Sequence, residues 1–201
     1  MKLTSEQIQI IESNDDIKIN AVAGSGKTTT VIEYAKTRPK SSKILYLAFN
    51  RTVKEEAQQK FKKAGIYNVK VETAHSLAYR AIVPRSGYQL NNYGYKAHEL
   101  TALLAIKARN AEKHMEYVVA NHVNKFMSYF CNSSATTLDG LNYRDVVHDA
   151  KAKAFVNNFY DYIEEKTRLF MFKMENAEID ITHDFYLKQY QLSKPTLPYD
   201  Y

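Results

Sequence analysis

The 201-residue chain has one cysteine, Cys131, and no tryptophan. One cysteine excludes an internal disulfide and cannot build a cysteine zinc site, so Cys131 is expected to be a small buried or half-buried residue. No apolar run approaches the roughly 20 residues that span a bilayer. The opening residues, Met1-Lys2-Leu3-Thr4-Ser5-Glu6, lack the apolar centre of a signal peptide. No membrane partner is expected, and a cytoplasmic location follows by default. His75, His98, His114, His122, His148 and His183 show no metal-ligand spacing with acidic neighbours. There is no internal repeat and no low-complexity tract.

What is present is ordinary for a globular protein, at 45% hydrophobic and 25% charged residues. The length suits one large domain, or one domain with a sizeable insertion. The net charge of +6 favours a polyanionic partner. Sixteen tyrosines and nine phenylalanines are interleaved with Lys and Arg. Such aromatics can stack on unpaired bases, although most of them are expected to be packing residues.

The chain is organised around Ala21-Val22-Ala23-Gly24-Ser25-Gly26-Lys27-Thr28. An apolar run, Ile17 to Val22, reads as a strand before it, and Thr28 to Lys36 reads as a helix after it. A glycine-rich turn between strand and helix aims backbone N–H groups and the positive end of a helix at one point, which suits a phosphate chain. Lys27 would reach the outer phosphates as a point charge. The Thr28 hydroxyl is placed to ligate the magnesium ion that accompanies a nucleotide. The pattern is G-x-x-x-x-G-K-[ST], with Ala21 at the first glycine.

Thr4 to Ser13 reads as a helix. Thr4 would be its N-cap and Gln7 would close a capping box. Gln7 has a second reading, as an amide that pairs with an adenine edge, and the residues alone favour the cap. Lys43 to Phe49 is a continuous apolar run, expected to be a strand buried on both faces. Arg51 to Ala64 reads as a helix ending at Gly65, Val69 to Val71 as a short strand, and His75 to Val83 as a further helix. Strands alternating with helices imply a parallel α/β sheet, whose ligands gather at the carboxyl ends of its strands. The phosphate loop, Phe49-Asn50-Arg51-Thr52 and Thr73-Ala74-His75-Ser76 lie there. From Lys96 to about Lys173 only helical patterns occur, with Met115 to Met127 at clear three-and-four spacing and one long helix or two between Tyr143 and Phe172. Residues 193–201 read as an extended linker without a partner.

These segments resemble, in order, the amino-terminal part of UvrD/Rep-type superfamily 1 DNA helicases, and within them the F-box DNA helicase branch. Leu3-Thr4-Ser5-Glu6-Gln7 is similar to the Q motif, Ala21 to Thr28 to motif I, Leu47 to Thr52 with Ala57 to motif Ia, and Thr73 to Ala78 to the T-x-H-[SG]-L-A segment that follows. The resemblance implies a RecA-like P-loop sheet, incomplete here, over residues 1–87. It implies a large all-helical insertion over 88–192 and a return toward the next core strand over 193–201. It implies ATP and magnesium as cofactors. Gln7, Ala21, Val22, Ala23, Gly24, Ser25, Gly26, Lys27, Thr28 and Thr29 would hold the nucleotide, with Lys27 and Thr28 as catalytic residues and Thr28 on the metal. It implies single-stranded DNA on Phe49, Asn50, Arg51, Thr73, His75 and Ser76. The location would be cytoplasmic and nucleoid-associated, or nuclear in a eukaryote.

The chain departs from that family in having no D-E-x-x-D after an apolar strand and no second RecA-like domain. Phosphoryl transfer needs a carboxylate for magnesium and a positive charge on the transition state. The expected reading is therefore the ATP- and single-strand-binding front portion of a DNA helicase, a fragment that is inactive alone and has the remaining helicase half as a partner. The competing readings are a non-catalytic nucleotide- or DNA-binding module and a small-molecule P-loop kinase. The kinase would need an acidic base and an arginine-rich lid, and neither is visible. Arg51, Lys54, Arg80 and Arg85 would neutralise phosphates or simply solvate helix faces.

Overall fold

A computed structural model describes residues 3–107 and 114–201. It divides into two compact units, residues 1–77 with 196–201 and residues 78–195.

The first unit begins with α1 (Ser5–Glu12). Thr4 Oγ1 accepts from Gln7 N–H at 3.2 Å, and Gln7 Oε1 accepts from Thr4 N–H at 3.0 Å. The expected capping box is present. The chain then runs through the glycine loop into α2 (Lys27–Thr37). β1 (Ile44–Ala48), α3 (Arg51–Lys63) and β2 (Val69–Thr73) follow. Asn50 caps α3, its Oδ1 accepting from Val53 N–H at 2.9 Å. After α3, Gly65 sits at φ +70°, the left-handed geometry that ends helices at glycine without a Cβ penalty. β1 and β2 pair in parallel, Ile44 opposite Val69 through Ala48 opposite Thr73. Ala35, Ile44, Ala57, Phe61, Ile66 and Val71 form the core beneath them.

Three expectations for this unit are corrected. Residues 17–22 form no strand: Ile17, Ile19 and Val22 are exposed, and no β-pairing reaches them. A strand exists through its ladder partners, and among the described residues this segment has none. A groove of about 420 Å³, lined by Ile10, Ile17, Ile19, Val31 and Tyr201 together with Ile44 and Tyr46, lies beside β1. Second, β1 is not buried on both faces, because Leu47 is 49% exposed. Third, the terminal residues do have a partner. Leu45 N–H donates to Tyr201 O at 2.8 Å, Asp200 N–H donates to Lys43 O at 2.8 Å, and Asp200 Oδ2 accepts from Lys43 N–H at 2.8 Å.

The chain leaves the first unit along α4 (Ala74–Ser86). This helix runs past Val83, where it was expected to stop. Pro84 sits in its last turn, where its ring nitrogen has no N–H to donate to the carbonyl four residues back, and Gly87 at φ +68° follows. The second unit holds α5 (Ala97–Leu103), α6 (Met115–Cys131), α7 (Ala150–Glu175) and α8 (His183–Leu192). Part of the expected helical run, residues 108–113, lies outside the described residues. α6 packs on α5, α7 and α8. Its Val119, Ala120, Val123 and Phe126 are fully buried. Each large apolar side chain buried this way contributes about 1.5–3 kcal/mol.

Asp149 caps α7 through Ala152 N–H at 2.8 Å. The helix kinks at Phe159, whose φ of −120° and ψ of 18° are not helical, so the long helix is two segments joined at that residue. The unit is not wholly helical. Leu90 and Ile181 form a parallel bridge, with Asn91 N–H on Ile181 O at 2.9 Å and Ile181 N–H on Gln89 O at 2.8 Å.

Candidate functional site

The glycine loop folds as a tight turn. Gly24 and Gly26 sit at φ +78° and +79°, a region that favours glycine. Gly26 is the N-cap of α2. The first bond into that helix is Thr30 N–H to Gly26 O at 3.0 Å, so the N–H groups of Lys27, Thr28 and Thr29 have no acceptor within it. Three open donors and the positive end of an eleven-residue helix face outward from one point. Ala21 to Ser25 and Lys27 are exposed, and Gly26, Thr28 and Thr29 half-buried. Lys27 Nζ turns back on its own loop, donating to Val22 O at 2.7 Å and Ala21 O at 3.3 Å.

Gln7 reaches this loop from α1. Its Nε2 donates to Thr30 Oγ1 at 3.1 Å and to Ser25 O at 3.4 Å. A Cβ at position 26 would stand 3.0 Å from that nitrogen, so a side chain there would displace the Gln7 amide as well as strain φ. Gln7 is thus both capping residue and neighbour of the loop.

Behind the loop Arg38, buried, locks α1 to the end of α2. Its Nη2 donates to Ile11 O at 2.9 Å and Ser13 O at 2.6 Å, and Nη1 to Asn14 Oδ1 at 2.6 Å. Tyr34 stacks on its guanidinium at 4.0 Å and Tyr201 lies at 5.2 Å. The sequence marks Arg38 only as a helix end before Pro39. Its anchoring partners, Ile11, Ser13 and Asn14, are distant in the chain.

The second set of expected residues meets in one cleft of about 580 Å³ at the carboxyl ends of β1 and β2. Phe49, Asn50, Arg51, Thr73, His75 and Ser76 all line it. Phe49 is 92% exposed. Asn50 spends its Oδ1 on the α3 cap, and Thr73 Oγ1 accepts from Ser76 N–H at 3.1 Å, so both also shape the walls. Lys54 pairs with the buried Glu72 at 2.8 Å, and Arg51 with Glu55 at 2.7 Å. The Lys54–Glu72 pair ties α3 to β2 and holds the two rims of the cleft together.

Thr28 offers the loop one hydroxyl for magnesium, and the exposed cradle fits a phosphate chain. Among the described residues no group of three His, Cys, Asp or Glu side chains could hold a metal. Burial pushes the Cys131 thiol up to about 12, which leaves it protonated and inert. His122 is buried, bonded through Nδ1 to Tyr143 Oη at 2.8 Å and stacked on Phe155. Burial and then Lys125 lower its pKa, and burial raises Tyr143 to about 12. No helix among the described residues is long and apolar enough to cross a membrane.

Comparison with known proteins gives concordant matches. Over 88 residues the chain is 47% identical to F-box DNA helicase protein 1 of Schizosaccharomyces pombe, covering 42% of this chain and 10% of that protein. It is 28% identical over 211 aligned positions to F-box DNA helicase 1 of Gallus gallus, covering 98% of this chain and 20% of that protein. The chain thus spans a tenth to a fifth of the length of these curated relatives. No solved structure matches significantly. The UvrD/REP helicase N-terminal domain matches residues 3–194, nearly the whole chain. With a mixed α/β first unit, a parallel strand pair and a glycine loop opening a helix, the chain belongs to the UvrD/REP helicase N-terminal domain family.

Proposed function

We propose that the chain is the ATP-binding and single-stranded-DNA-binding portion of an ATP-dependent DNA helicase. The observation that carries this reading is the loop at the start of α2. Two left-handed glycines and three open N–H groups suit a polyphosphate. Lys27 would leave its carbonyl partners for the outer phosphates, and the Thr28 hydroxyl would take the magnesium ion. Gln7, held between Thr4 and Thr30, would present its amide to the adenine edge.

The cleft at the ends of β1 and β2 would carry the DNA strand. Phe49 supplies an exposed face for a base, His75 and Ser76 polar contacts, and Arg51 a charge for phosphate. Turnover further requires a carboxylate on the metal and a positive charge at the transition state. In the whole enzyme, segments outside the described residues would supply both, and the remaining helicase half is the expected partner.

A second reading, a non-catalytic nucleotide- or DNA-binding module, is favoured by one observation: Lys27 is already satisfied by Ala21 and Val22 carbonyls. ATP hydrolysis with magnesium, with and without single-stranded DNA, separates the two readings when the chain is measured beside Lys27→Ala. DNA-stimulated turnover that is lost in the variant supports a working ATPase. Nucleotide binding without turnover supports a cradle that is completed by another segment. Absence of both supports the module.

A further inference from the structure

The second unit contains a recess of about 300 Å³, at the lower limit of the volumes that take small ligands. Its floor is apolar, made by Met127, Cys131 and Phe170, all buried. Its walls are polar. Asn91 and Asn92 come from the loop that crosses to Ile181, Asn124 and Ser128 from α6, and Asp184 from the first turn of α8.

The loop is fastened at both sides. Asn91 N–H bonds to Ile181 O at 2.9 Å, and Tyr95 Oη donates to Asp180 O at 2.7 Å. Between these anchors Tyr93 stands at the rim, 98% exposed. Its N–H is held by Asn91 Oδ1 at 3.0 Å. An aromatic ring so exposed gains nothing from packing, and a fixed loop has no need of it.

The chemistry of the walls selects the ligand. Asp184 Oδ2 accepts from Ser128 Oγ at 3.4 Å, which leaves Oδ1 for an incoming donor. A carboxylate there repels phosphate and other anions. Asn91 Oδ1 already accepts from Tyr93 N–H and Asn124 Nδ2 donates to Tyr95 O at 3.2 Å, so each of these amides keeps one N–H and one oxygen lone pair for a ligand. A guanidinium or ammonium is donor-only and would leave the amide N–H groups facing donors. A flat group with an apolar face and a mixed donor–acceptor edge fits all of these walls.

We propose that this recess receives an unpaired nucleobase that carries an exocyclic amine, with Tyr93 as its stacking platform and Asp184 as acceptor for the amine. Bases splayed from a strand are read in this manner, through a stacked face and a hydrogen-bonded edge. Carboxylates accept from the cytosine amine. Thymine has no such amine. The recess shares no lining residue with the cleft at Phe49 and gives the second unit a base preference of its own.

The test uses the full chain with oligodeoxycytidine and oligothymidine of equal length, by fluorescence anisotropy. The expected result is tighter binding of the cytidine strand, by about tenfold. Tyr93→Ala and Asp184→Ala should each abolish that preference, whereas Phe49→Ala should weaken both strands alike. Equal binding of the two strands by the unaltered chain overturns the proposal, as does a preference that survives both recess variants. A second arm is independent of the Phe49 cleft. Side-chain amide resonances of Asn91 and Asn124 should shift with deoxycytidine and stay still with thymidine. Shifts caused by an arginine-containing peptide but not by deoxycytidine would assign the recess to a protein partner and overturn the proposal.

Discussion

Gln7 Nε2 lies 3.1 Å from Thr30 Oγ1, while Gln7 Oε1 holds the Thr4 N–H at 3.0 Å. One amide therefore caps α1 and braces the phosphate-type loop at the start of α2. Replacing Gln7 by Glu keeps the capping acceptor and removes the donor. Gln7→Glu should leave helix content unchanged and weaken ATP binding by about tenfold, on the scale of one or two hydrogen bonds. Binding of ATP and GTP analogues by titration calorimetry checks this. The variant should bind the two about equally.

Phe49 is exposed and Phe126 is not, and the two should respond in opposite ways. Phe49→Ala should leave the melting temperature unchanged and cost about 1–3 kcal/mol of single-strand affinity. Phe126→Ala should cost about 3–5 kcal/mol of stability through the cavity it leaves. Anisotropy with a labelled oligonucleotide and thermal unfolding, on both variants, separate the two roles. Affinity should also fall steeply with salt.

Arg38 bonds the carbonyls of Ile11 and Ser13. Arg38→Ala leaves these acceptors without that partner, and about 2 kcal/mol of stability should be lost. Lysine keeps the charge but cannot divide it between two carbonyls and a side-chain amide in one plane. Hydrogen exchange should therefore show α1 opening in both variants, less in Arg38→Lys.

His122 gives the second unit an acid-sensitive point. Its folded pKa lies below the unfolded value because burial disfavours the imidazolium, and Lys125 adds to this. Above the unfolded value of about 6.5 both states are neutral, so His122 adds no pH dependence there. As pH falls below that value the unfolded chain takes up the proton first, and stability declines. Melting temperatures from pH 8 to pH 5 should drop on the acid side, and His122→Gln should flatten that drop.

Local signals were readable from the sequence and long-range ones were not. The Thr4–Gln7 capping box, the Asn50 side of the first parallel strand and the helix spacing of α6 are each set within a few residues. Ile17 to Val22 has the composition of a strand, yet strand identity belongs to a pair, and no described residue pairs with it. The apolar run from Lys43 to Phe49 gives no sign that Leu47 would face solvent. Tyr201 is far from Leu45 and Arg38 in the chain, so the edge pairing and the ring against the guanidinium leave no periodic trace. The Leu90–Ile181 bridge is hidden for the same reason. At the candidate site the residue types and their grouping were legible. The inward turn of Lys27 was not, since it depends on the curvature of its own loop.

The most direct measurement is equilibrium binding of magnesium-ATP by the full chain and by Lys27→Ala. A phosphate cradle at the start of α2 predicts saturable binding that weakens at least tenfold in the variant, the scale of a lost hydrogen bond to a charged group. Equal binding by both proteins, or none by either, would contradict it.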